Sequence, residues 1–146
     1  MIGATGKWLL PVAVLLGGCT AAERAPLRPD TQGVTPQLDY APLATVLAEG
    51  LDDDGNLRRD RAPRIRAPLE RQLALLAVTG PESTPELLPT AEQRLAYWYN
   101  ARAAWSIRLA LEADLPDKAD TAAMARRRFL LDGRLRSLTG LDEMLL

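Results

Sequence analysis

Apolar positions along the chain fall into a few short helical patterns separated by proline-rich and glycine-rich breaks. Leu43, Val46 and Leu47 share one face of a segment running from about Tyr40 to Glu49, with Asp39 as a cap and Gly50 just past the end. Leu69, Leu73, Leu75 and Leu76 line a second helix, with Pro68 in its first turn and Gly80-Pro81 closing it. A proline-rich loop over 80–89 leads into Thr90-Ala91-Glu92-Gln93, a capping box. The helix it opens runs from about Ala91 to Ala113 and stops before Pro116. From Leu95 to Leu111 it is apolar on most sides, which predicts a central core helix. A short helix over about Ala119–Arg127 follows. Asp132-Gly133 between apolar flanks then carries the signature of a type I′ hairpin. Ser137 or Thr139 caps a last helix containing Leu141, Met144, Leu145 and Leu146.

The pattern predicts a mainly α fold: a small helical domain of four to five helices with one short β-hairpin near the C-terminus. Leucine and alanine dominate while valine and isoleucine are scarce, which supports helix over strand. A length of 146 residues fits one domain. Residues 20–37 are rich in Pro, Thr, Ala and Gly without a hydrophobic period, so they read as an extended tether, and 38–146 as the domain.

Chemistry is restricted more than it is specified. The chain has no histidine, which removes most general-base and metal schemes, and one cysteine, which removes an internal disulfide. The formal net charge of −1 argues against a nucleic-acid partner. Asp52, Asp54 and Asn56 occupy the first, third and fifth positions of a calcium loop. Leu57 and Pro63, however, stand at its decisive sixth and twelfth, so a solvated turn is expected. Arg58, Arg59, Arg61, Arg64, Arg66 and Arg71 form a basic run whose reading as an anion patch competes with that of a solvated face, the prolines favouring the latter. Arg126, Arg127 and Arg128 could touch membrane phosphates, but adjacent helical residues point apart and surface solvation is expected. Asn100 interrupts the apolar helix, and an amide there needs hydrogen-bond partners.

The first nineteen residues resemble a bacterial lipoprotein signal. Lys7 supplies the positive start, Trp8 to Leu16 a short apolar stretch, and Leu16-Gly17-Gly18-Cys19 the lipobox. The resemblance implies removal of residues 1–18 and lipid attachment at Cys19, which consumes the sole thiol. Thr20 after the cysteine, where aspartate signals inner-membrane retention, points to the periplasmic face of an outer membrane. The partner so implied is the membrane, through the anchor. The chain's abrupt apolar finish at Leu145-Leu146 adds a candidate protein-docking surface on the C-terminal helix.

Three stretches together resemble the domain-of-unknown-function 547 family. These are Leu38-Asp39-Tyr40 through Gly55-Asn56-Leu57; Ala96-Tyr97-Trp98-Tyr99-Asn100-Ala101; and Phe129 to Gly133 followed by Ser137-Leu138 and Asp142-Glu143-Met144-Leu145. The similarity spans residues 38–146 but only the first half or so of that family's domain, without its later cysteine- and histidine-containing segments. Arg102 and Ala103 stand where the family carries an aromatic and a second asparagine. Arg58-Arg59 replaces its Asp-Tyr pair. The resemblance marks Trp98 and Asn100 as structural motif residues, and assigns no catalytic, metal or cofactor residue. The expected function is a membrane-anchored envelope lipoprotein with a binding or assembly role. The alternative is a truncated hydrolase-like domain lacking its catalytic half. An enzyme using acids alone would draw on Asp52 with Asp54, or Glu112 with Asp114.

Overall fold

The computed structural model describes residues 24–113 and 121–146, so Cys19 and the signal-like segment lie outside the described residues. Five helices and one hairpin follow in the expected order: α1 (Ala41–Gly50), α2 (Ala62–Val78), α3 (Ala91–Glu112), α4 (Thr121–Arg126), β1 (Phe129–Leu131), β2 (Arg134–Arg136) and α5 (Leu138–Leu145). Single 3-10 turns at Arg59–Arg61 and Pro85–Leu87 lead towards α2 and α3. The fold is mainly helical, with one antiparallel pair that matches Phe129 to Arg136 and Leu131 to Arg134.

The start of α1 shows how tertiary contacts complete a helix. Its first turn exposes backbone donors with no partner inside the helix. Pro42 removes one of them. Asp39 Oδ1 accepts from the Ala41 N–H at 2.9 Å, and the buried Gln72 of α2 places Oε1 3.1 Å from the Leu43 N–H. Leu43 and Val46 then face α2 and are fully buried, whereas Leu47, expected on the same face, is 36% exposed. The 100° helical step carries it past the line of contact.

Helix α2 begins earlier than its proline suggested. Pro63 sits in the first turn, and Pro68 lies in the helix interior. Ile65 explains the extension: it is wholly buried, so a core contact fixes the turn ahead of Pro68. The expected Leu69, Leu73, Leu75 and Leu76 are all buried.

Helix α3 opens with the expected capping box. Thr90 Oγ1 accepts from the Gln93 N–H at 3.2 Å, and Gln93 Oε1 accepts from the Thr90 N–H at 3.1 Å. Tyr97, Trp98, Trp105, Ile107 and Leu109 are buried, and Trp105 stacks on Phe129 with centroids 4.2 Å apart. Burying each such side chain contributes roughly 1.5–3 kcal/mol. The expectation of apolar contact on nearly all sides fails at Leu95 and Tyr99, which are 48% and 56% exposed on one face. Helices α2 and α5 cover the other faces of α3 and leave this one open.

Within the stretch expected as a tether over 20–37, the described residues join the fold at Leu27 and Gln37. Leu27 lies alongside β1 in a parallel bridge to Phe129. Its N–H donates to the Arg128 carbonyl at 2.9 Å, and its own carbonyl accepts from the Leu130 N–H at 2.9 Å. Leu27 also packs on the core, and the Gln37 N–H reaches Thr79 Oγ1 at 3.1 Å. An exposed strand edge presents unpaired N–H and C=O groups, which an extended segment such as that at Leu27 can take up.

Candidate functional site

Among the described residues a densely hydrogen-bonded polar corner is built where the end of α2 meets the hairpin turn. The last carbonyls of α2 need donors from outside the helix. The turn supplies them: the Asp132 N–H bonds the Leu76 carbonyl and the Gly133 N–H the Ala77 carbonyl, both at 2.9 Å. Asp132 and Gly133 both hold positive φ, 52° and 71°, as the type I′ signature requires. The Asp132 side chain is buried. Its Oδ2 accepts from the Glu82 N–H at 2.8 Å; its Oδ1 accepts from the Ser83 N–H at 2.8 Å and the Ser83 hydroxyl at 2.6 Å. Gly80 permits this approach, since a Cβ there would sit 2.7 Å from that of Asp132.

Around the corner, Glu82 bridges Arg134 and Arg136, each at 2.6 Å. Arg136 also lies over the Trp98 ring, 4.9 Å from its centre. Trp98 in turn meets Tyr97 edge-on, and the Tyr97 hydroxyl donates to the Leu76 carbonyl at 3.0 Å. Burial pushes the Tyr97 phenol far above its usual range. The arrangement is a clamp, in which a carboxylate accepting from three donors joins two chain segments about fifty residues apart. Sequence reading found the Asp-Gly turn but not the loop that its side chain grips; the cue it had was Gly80 ahead of Ser83.

Trp98, marked by the sequence as structural, therefore belongs to this corner. Asn100 does not. It sits half-buried on α3 beside the Tyr40 hydroxyl at the entrance to α1. Burial raises the Tyr40 pKa and the Asn100 side chain acts against that rise. The two groups are adjacent, yet the Tyr40 hydroxyl makes no well-aligned hydrogen bond. The half-buried Asn100 amide thus neighbours the Tyr40 hydroxyl without a well-formed bond to it.

Two of the acidic candidates, Asp52 and Glu112, are engaged in structural contacts. The Asp52 carboxylate closes its own turn, accepting from the Asn56 N–H at 2.7 Å and the Asp54 N–H at 3.0 Å. Those bonds, the Asn56 backbone first, hold its pKa low. Glu112 pairs with Arg108 and Arg127, both at 3.7 Å, while Asp114 lies outside the described residues. Among the described residues no three histidine, cysteine or acidic side chains gather as a metal site.

The docking surface expected on the last helix is reduced. Leu141 is wholly buried in the core and Leu145 packs against it, which leaves Met144 and Leu146 exposed. The α5 periodicity turns Leu141 inward towards α3, and an Arg102–Asp142 ion pair ties the two helices. Most of the basic run over 58–71 is exposed, as a solvated face requires, and Arg58 and Arg61 pair with Asp60.

No protein-family model, curated protein or solved structure matches this chain.

Proposed function

We propose that this protein is a lipid-anchored component of the bacterial cell envelope, held at the periplasmic face of the outer membrane and acting by binding or assembly. The observation that carries the reading is Leu16-Gly17-Gly18-Cys19 following a short apolar stretch that begins after Lys7. Small residues let the backbone enter a peptidase cleft, and a thiol accepts the diacylglyceryl group. Several acyl chains at about 0.8 kcal/mol per buried CH₂ anchor a protein stably. The resemblance of residues 38–146 to the first half of the domain-of-unknown-function 547 family is consistent with a non-catalytic role, since the matched motifs are structural. So is the engagement of Asp52, Glu112 and Asp132 in turns, ion pairs and the clamp.

Mass spectrometry of the membrane fraction tests it. The expected N-terminal peptide begins at Cys19 and carries diacylglyceryl and amide-linked acyl mass. The Cys19→Ser chain loses that mass and leaves the membrane. An unmodified Cys19 thiol on protein recovered from the soluble fraction overturns the reading.

A further inference from the structure

The arginines at 126–128 do not share one environment. Helix α4 ends at Arg126, and Arg127 and Arg128 lead from it into β1. Arg127 turns to the body of the protein, 3.7 Å from Glu112 and 18% exposed. Arg126 and Arg128 stay exposed and form no ion pair among the described residues. Both line an open groove of about 570 Å³ together with Arg136, Ser137, Thr139 and Glu143. Arg136 is already engaged by Glu82, so the two unengaged guanidinium groups outweigh the single Glu143 carboxylate on the groove wall. Guanidinium forks match the oxygens of a phosphate group.

A second observation gives this groove a direction. The chain joins the fold at Leu27, whose N–H bonds the carbonyl of Arg128 itself. Only residues 20–26 separate Leu27 from Cys19. Eight peptide units span at most about 29 Å. A cysteine held in a bilayer therefore keeps Arg128 within a short reach of the headgroups. Short tethers raise the local concentration of a second contact to the millimolar range, so a weak second contact is sufficient.

We propose that the groove bearing Arg126 and Arg128 is a membrane-contact site for the phosphate of anionic lipid headgroups, which fixes the orientation of the domain on the bilayer. The proposal rests on the lipid anchor, and its test separates the two. The lipidated full chain, carrying Thr139→Cys labelled with an environment-sensitive dye, is reconstituted into phosphatidylglycerol or phosphatidylcholine vesicles. Flotation reads the anchor, and quenching of the dye by headgroup-labelled lipid reads the contact. Thr45→Cys on the exposed side of α1 serves as the reference position.

The expected result is flotation with both vesicles and strong quenching at position 139 only on phosphatidylglycerol. Two arginines near an anionic surface strengthen contact about 30-fold. Arg126→Ala/Arg128→Ala is therefore expected to float and melt unchanged while quenching falls to the reference level. Equal quenching on both vesicles, or no loss in the double variant, overturns the groove assignment with the anchor intact. Loss of quenching on adding low millimolar inorganic phosphate assigns the groove to free phosphate and also overturns it. A chain that does not float overturns the anchor and the proposal together.

Discussion

The Asp132 carboxylate and the Ser83 hydroxyl meet at 2.6 Å across 49 residues of sequence. This contact joins the hairpin turn to the loop after α2. Asp132→Ala removes an acceptor for two backbone N–H groups and one hydroxyl, and places alanine at a φ of 52°. A loss of about 3 kcal/mol is expected from stranded donors and backbone strain. Asp132→Asn tolerates the backbone angle but turns an amide donor towards the loop N–H groups, so its loss is expected to be smaller. Urea denaturation with an unchanged m-value checks both. Equal stability of the Ala and wild-type chains would show that the clamp adds nothing.

The Tyr40 hydroxyl is buried without a well-formed partner beside Asn100. Removing a poorly bonded buried hydroxyl costs little, because its desolvation penalty disappears with it. Tyr40→Phe is expected to leave the melting temperature unchanged or raise it. Asn100→Ala, which keeps the hydroxyl and removes its neighbour, is expected to lower stability by about 1 kcal/mol. A Tyr40→Phe chain much less stable than wild type would show a strong bond in solution.

Tyr97 sets the behaviour in alkali. Its phenol is held neutral by burial well above the usual value of 10.0, while in the unfolded chain it ionises near that value. Above about pH 10 the unfolded state releases a proton that the folded state keeps, so stability falls as pH rises, by up to about 1.4 kcal/mol per pH unit for this group. Below that pH its contribution is fully present. Burial shifts Tyr40 the same way. Tyr97→Phe is expected to flatten the alkaline slope of a pH series of thermal melts. Its cost at neutral pH is expected to be only about 0.5–1 kcal/mol, because the Leu76 carbonyl keeps the Asp132 N–H as partner. An unchanged slope would place the loss of stability on other groups.

Pro68 stands inside α2, where it offers no N–H to the carbonyl of Arg64. Pro68→Ala restores that bond at a half-buried position and is expected to stabilise by about 1–3 kcal/mol, partly offset by the freer unfolded chain. A rise in the denaturation midpoint checks it; a fall would mean that packing by the proline ring outweighs the missing bond.

Elements with a local cause were legible from the chain. Thr90 and Gln93 lie three residues apart and define the start of α3 on their own. Asp132-Gly133 fixes a two-residue turn because both residues accept positive φ. The leucine spacing of α2 marks its buried side. Pro68 misled because the burial of Ile65, a tertiary matter, overrides the local preference of proline for a first turn. Leu95 and Tyr99 misled because apolarity alone does not say which faces of a helix find a neighbour.

Short-range patterns thus determined a mainly helical chain and its hairpin, since capping, turn geometry and periodicity act within a few residues. Only the tertiary structure decided that Asp132 grips the loop at Ser83, that Leu27 joins β1, and that Arg126 and Arg128 share a groove from which Arg127 turns away. Those relations depend on segments that meet only after the core has closed, and no local spacing encodes them.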